Sequence, residues 1–247
     1  MTTTENHSSR PSLGTALITG ASSGIGAVYA DRLARRGYDL ILVARDSARL
    51  AALAHRLAQE TGVKTEVLQA DLTDRSDLAR VEQRLHGDAG ITLLLNNAGI
   101  AVTGTLLDAD IDAVERMVAL NVLALLPEMF SGTYSGTKAY LLNLTRSLQQ
   151  ELGPIGVRVQ AVMPGATRTE IWDRAGTPIS HLPQDMLMDV DAMVDAALAG
   201  LDQGEAVTIP SLEAVHEWNA LEDARRALGP FLSLRQPAQR YAVTTSA

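Results

Sequence analysis

The stretch TALITGASSGIG, residues 15–26, decides the reading of this chain. It opens as a short β-type apolar run and continues into three glycines, Gly20, Gly24 and Gly26, placed where helical periodicity begins. Glycines at a strand-to-helix turn permit a tight reversal. They also let an anionic group approach bare backbone N–H groups at the positive end of a helix, which is how a dinucleotide pyrophosphate is held. The spacing is GxxxGxG rather than GxGxxG, and a glycine turn standing alone is often only a turn.

Outward from that turn, β-type runs alternate with helical periodicity. A helix near 24–36 leads to DLILVAR (39–45), a helix near 46–60, KTEVLQADL (64–72), a helix near 75–86 and ITLLLNNAG (91–99). Helices near 108–122 and 134–151 precede VRVQAVMPG (157–165), a loop, a helix near 184–203 and AVTIP (206–210). The pattern predicts a parallel sheet wrapped by helices, and the continuous Leu, Ile and Val of its strands predict burial on both faces. With 247 residues, 46% of them hydrophobic, the chain can bury one large α/β domain, expected over 12–247. Residues 1–11 are polar, lack the features of a secretory signal and read as a disordered tail.

Bulk properties exclude several functions. The net charge of -8, with no cluster of Lys and Arg, argues against nucleic acid as a partner. The chain has no cysteine, so disulfides and thiolate metal sites are absent and a redox role needs a bound cofactor. No apolar run approaches the length of a membrane span, and a cytoplasmic protein is expected. No HExxH or other metal spacing accompanies His181, which reads as a surface residue.

The end of the second predicted strand is where the adenosine ribose of a dinucleotide lies, and an acidic residue there would bind the 2'-hydroxyl of NAD. Ala44 and Arg45 stand there instead. An arginine with no carboxylate beside it at the strand end suits the 2'-phosphate of NADP(H), although a solvated arginine opening the next helix is the plainer reading. Asp46 follows as a helix N-cap. Farther on, Tyr134 and Lys138 stand four apart and so share a helix face, where an ammonium favours the phenolate. Taken alone, such a pair is common by chance.

In order along the chain stand TGASSGIG (19–26), NNAG (96–99), the YxxxK pair Tyr134 and Lys138, and Pro164-Gly165. On these motifs residues 13–210 resemble the short-chain dehydrogenase/reductase family. The resemblance implies a single α/β domain, a Rossmann-like doubly wound parallel sheet with NADP(H) across the carboxyl ends of its strands. It assigns the cofactor to Gly20, Ser22, Ser23, Gly24, Ile25, Gly26 and Arg45, to Asp71 and Leu72 beside the adenine, and to Asn97, Ala98 and Gly99 along the adenosine ribose. Pro164, Gly165, Thr167 and Thr169 fall on the nicotinamide side. Tyr134 then moves a proton to or from a small-molecule carbonyl or alcohol. Lys138 also holds the nicotinamide ribose, and Asn121 supports the lysine through water.

One place departs from the family's pattern. Asn121 lies thirteen residues before Tyr134, where the family carries its catalytic serine, yet read forward from VALNV it is the helix asparagine. It cannot be both. Some two dozen residues are missing between Val122 and Leu123 on this reading, taking the fifth strand and the serine with them. Ser131, Ser135 and Thr137 are out of register to replace it. Strand 91–96 would then return directly to strand 157–162 in a six-stranded sheet, unless the chain is a spliced or incomplete form of a longer one. Loss of the serine leaves open a catalytically impaired NADP(H)-binding protein, or a shortened fold that is unstable. Family members pair through the two helices flanking the junction, so a homo-oligomer is implied and the shortened helix works against it.

Residues 171–195 fall where the family places a substrate lid, and Trp172, Leu182, Met186 and Met188 either line an apolar pocket or pack the lid onto the core. The segment from Ser211 reads as a helix to about Leu228 with no chemical signal.

Overall fold

The computed structural model describes residues 13–99, 132–174 and 178–241. The predicted tail, the helix near 108–122, Asn121, Ser131 and the junction at Val122–Leu123 lie outside them. By internal contacts the chain falls into two compact units, one through Pro210 and one from Ser211, where the sequence reads as a single domain.

The first unit alternates strand and helix: β1 (Thr15–Thr19), α1 (Gly24–Arg36), β2 (Asp39–Ala44), α2 (Ser47–Thr61), β3 (Thr65–Gln69), α3 (Arg75–His86) and β4 (Ile91–Leu95). Then come α4 (Gly132–Leu152), β5 (Ala161–Val162), the short α5 (Ile171–Arg174), α6 (Val190–Asp202) and β6 (Val207–Thr208). β1 to β4 form one sheet in the order β3-β2-β1-β4, and all its pairings are parallel. The chain therefore steps outward from β1 to β3 and returns to the opposite side of β1, which makes the β1/β4 boundary the point where strand order reverses.

Side-chain alternation along β1 and β2 divides the core between the two faces. Ala16, Ile18, Leu40 and Leu42 pack with Leu33, Leu50, Leu57, Val194 and Leu198 of α1, α2 and α6. Leu17, Ile41 and Val43 pack with Val81 of α3 on the other face. That is the doubly wound arrangement, with the early crossover helices on one face and the returning one on the other. Arg32 adds ion pairs from α1 to Asp195 and Asp191 of α6, both at 2.7 Å.

Burial on both faces holds for β1 and β2 but not for β3 or β4, where Val67 and Leu94 are exposed. The expected direct return from strand 91–96 to strand 157–162 is not made among the described residues. There β4 pairs with β1, while β5 pairs with β6 in a separate two-stranded sheet. The strand expected over 157–165 narrows to Ala161–Val162 because a strand extends only as far as its ladder partner, and β6 is equally short. In the second unit α7 (Val215–Ala227) forms as expected, with Trp218 buried.

Candidate functional site

Parallel α/β sheets bind ligands in the crevice outside the carboxyl ends of the strands where the order reverses. Here that crevice is bounded by the turn after β1 and the loop after β4, and the two are latched together by side chains. Thr19, the buried last residue of β1, accepts hydrogen bonds at Oγ1 from the backbone N–H of Asn97 (2.9 Å) and of Ala98 (3.0 Å). Asn97 answers with its side-chain amide, donating from Nδ2 to the carbonyls of Thr19 (3.0 Å) and Gly20 (3.4 Å). The side-chain N–H groups of Asn97 are thus directed at the glycine turn.

The glycines fit this crossing closely. Gly20 has φ 68 and Gly24 φ 54, a left-handed conformation that L side chains rarely adopt. A Cβ on Gly26 would stand 2.4 Å from the Gly20 carbonyl oxygen and 2.6 Å from Asn97 Nδ2. The turn delivers the chain into α1 with Ser23 at the N-cap and no side-chain hydrogen bond closing the cap. Its first-turn N–H groups and the positive helix end point at the crevice. Ile25 packs against the core and fixes the helix start. The turn fits a dinucleotide pyrophosphate: its glycines are bare of side chains, and the helix end behind them is positive in field.

At the end of β2, Arg45 is largely exposed, with its guanidinium 4.0 Å from the Asp71 carboxylate. Asp46, its neighbour in sequence, is taken up in capping α2, and the fold brings another carboxylate to Arg45 from the loop after β3. Asp71 turns mainly into its own loop, accepting from the hydroxyl (2.7 Å) and N–H (3.0 Å) of Thr73, and these bonds hold its carboxyl below the usual carboxylate range. The N–H of Asp71 donates to Asp77 at 2.7 Å, and Leu72 packs on the α3 face of the core. Asp46 caps α2 as expected, accepting from the N–H of Arg49 at 3.0 Å.

The segment after β5 reaches back to the glycine turn. Thr169 lies against Gly24, its Cγ2 3.3 Å from where a Cβ would be. Thr167 is buried and donates its hydroxyl to the Gly165 carbonyl, so of the two threonines it is Thr169 that faces the turn. Trp172 donates its indole N–H to the Thr167 carbonyl at 2.8 Å, and Met188 is hydrogen-bonded through its backbone to Ala166 and Arg168 while its side chain packs on the core. These two residues therefore anchor the segment expected to form a lid. Met186 remains exposed, as does His181, and no cluster of metal-ligating side chains exists among the described residues.

Tyr134 and Lys138 lie in α4, on the helix predicted for them and with the spacing that puts both on one face. Their side chains lie outside the described ones, as does Asn121. Sequence reasoning missed Thr19 as the latch, and it missed Glu170. Glu170 binds Arg49 at 2.8 Å and Arg174 at 2.6 Å, while Arg174 donates to Ser23 at 3.4 Å.

The fold and crevice are those of a dehydrogenase with a doubly wound sheet, and the comparisons agree. The sequence model of the short chain dehydrogenase family matches residues 14–131 and 124–179, and the chain belongs to that family of oxidoreductases. It is 47% identical to a short-chain dehydrogenase from Sphingobium yanoikuyae solved in complex with NADPH, with a TM-score of 0.88 over 93% of this chain and 100% of that one. It is 42% identical to the bulky-bulky ketone specific alcohol dehydrogenase from Comamonas testosteroni, with a TM-score of 0.84 over 94% and 99% of the two chains. An uncharacterized oxidoreductase of Staphylococcus saprophyticus is 30% identical, covering 63% of this chain and 79% of its own length.

Two features of these matches bear on the junction after Val122. The family model matches in two stretches that overlap over 124–131, rather than in one. The Staphylococcus alignment runs over 185 positions but takes in 63% of 247 residues, about 156, so about 29 of its positions face no residue here.

Proposed function

We propose that this chain binds NADP(H) in the β1/β4 crevice and transfers hydride between the nicotinamide and a ketone, aldehyde or secondary alcohol. The bound cofactor supplies the hydride chemistry. Gly20, Ser22, Ser23, Gly24, Ile25 and Gly26 hold its pyrophosphate, Arg45 its 2'-phosphate, Asp71 and Leu72 flank its adenine, and Ala98 and Gly99 its ribose. Pro164, Gly165, Thr167 and Thr169 form the nicotinamide side. Tyr134 donates or accepts the substrate proton, and the Lys138 ammonium favours its phenolate and holds the nicotinamide ribose. The observation that carries this reading is the latched glycine turn, where Asn97 and Thr19 hold Gly20 and Gly26 too close for any side chain. The NADPH complex of the Sphingobium relative supports the choice of cofactor, and the Comamonas relative supports a ketone or alcohol substrate.

A second reading has its own observation. The two-stretch family match and the unmatched positions of the Staphylococcus relative favour loss of an internal segment near Val122–Leu123. Loss of the family's serine there removes one donor to the reacting oxygen, which costs about a hundredfold to a thousandfold in rate. The chain is then an NADP(H)-binding protein with little turnover. NADPH oxidation with a panel of ketones and aldehydes separates the two, since both bind cofactor and one turns over.

A further inference from the structure

Three groups at the mouth of the crevice form a chain of charges that the cofactor reading leaves unused. Arg49, in the first turn of α2, donates to both carboxylate oxygens of Glu170 at 3.1 and 2.8 Å. One helical turn on, Arg174 donates to the same carboxylate at 2.6 Å and reaches Ser23, the N-cap of α1, at 3.4 Å. Beside this chain Thr169 rests on Gly24. Glu170 thus spans from the α2 end that follows Arg45 to the glycine turn, which are the two places where a phosphorylated dinucleotide carries its negative charge.

We propose that Glu170 is an internal stand-in for phosphate, occupying Arg49 and Arg174 in the cofactor-free chain, and that Arg49 joins Arg45 on the 2'-phosphate once Glu170 is displaced. The inference rests on the NADP(H) reading of the crevice. Both bonds come from one terminal nitrogen of the guanidinium, Nη1, and a pair of phosphate oxygens can take the same charged donor. A phosphate monoester carries nearly twice the charge of a carboxylate at neutral pH, so it competes successfully for the same donors. Arg49 sits four residues past Arg45, at the positive N-terminus of α2, where an added anion is further favoured. Half of the Glu170 side chain is open to solvent, so the exchange needs no unfolding of the core.

The test uses two probes that differ by one phosphate, 2',5'-ADP and 5'-AMP, titrated into the full chain and its variants. Glu170→Gln keeps the shape and removes the competing charge, and is expected to tighten 2',5'-ADP about three- to tenfold more than 5'-AMP. Arg49→Gln in that background is expected to weaken 2',5'-ADP about tenfold with 5'-AMP unmoved, because Arg49 lies on α2 and not at the glycine turn. A purely structural role for the triad shifts both probes together. If wild type binds both nucleotides and Glu170→Gln leaves their affinity ratio unchanged or lowers it, the proposal is wrong while the cofactor reading stands. If a cooperatively melting wild-type chain binds neither, the cofactor reading fails and this inference falls with it.

Discussion

Asn97, in the loop after β4, donates its side-chain amide to the carbonyl of Thr19 at the end of β1, and Thr19 returns the contact by accepting from the N–H of Asn97. The two residues are 78 positions apart. Their reciprocal bonds hold the crossing point of the sheet in the shape a dinucleotide needs.

Replacing Thr19 by Val keeps the shape but leaves the N–H groups of Asn97 and Ala98 without their acceptor. Orphaning part-buried donors costs about 1–3 kcal/mol, so urea denaturation should show a loss in that range. Asn97→Ala should cost a similar amount and also weaken NADPH binding, because the glycine turn loses its brace. Unchanged NADPH affinity in that variant would mean that the latch is only structural.

Gly26→Ala places a methyl against the backbone oxygen of Gly20 and the brace itself, neither of which is a flexible side-chain end. Overpacking of this kind costs about 1–3 kcal/mol. The expected result is a folded chain, lower in Tm, whose melting no longer responds to NADPH.

Asp31 gives a pH prediction with a definite sign. Burial pushes its carboxyl upward, but hydrogen bonds from Arg35, Arg56 and Arg32 outweigh that and hold it below the ordinary value. A depressed carboxylate contributes stability above its unfolded-state pKa, about 3.9, and loses it as pH falls through the folded value. Asp31→Asn should therefore cost about 2 kcal/mol at neutral pH. The gap to wild type should close as the pH drops below about 4. Denaturation curves at pH 7 and pH 3 check it, and a gap that widens in acid would contradict the assignment.

Arg45→Gln should weaken NADPH by about tenfold and leave NADH nearly unchanged, because only the 2'-phosphate meets that side chain. Isothermal titration with the two cofactors reads the ratio directly.

Much of this was legible in the sequence, for reasons tied to distance along the chain. α1, α2 and α3 begin and end close to where periodicity and the cap at Asp46 place them, because a cap acts within three residues. The glycine turn was legible because three glycines at a strand end answer a local steric demand. Other features depend on partners far away. The strand around 157–165 narrowed to Ala161–Val162 because, among the described residues, only Val207 and Thr208 pair with it. Glu170 gave no signal, since its partner Arg49 lies 121 residues earlier. The bonds of the Asn97 amide to Thr19 and Gly20 gave no signal either, since they exist only once β1 and β4 are adjacent.

The central claim, that the reversal of the sheet is a working NADP(H) site, is tested most directly by thermal melts of the purified chain titrated with NADPH and, separately, NADH. Saturable stabilisation is expected, about 2.7 kcal/mol at a hundred times Kd, with NADPH effective at lower concentration than NADH. In the same sample, oxidation of NADPH by a ketone that Tyr134→Phe abolishes would establish the reductase, whereas stabilisation without oxidation would favour the impaired binder. A cooperative melt that neither cofactor moves would contradict the account at its root.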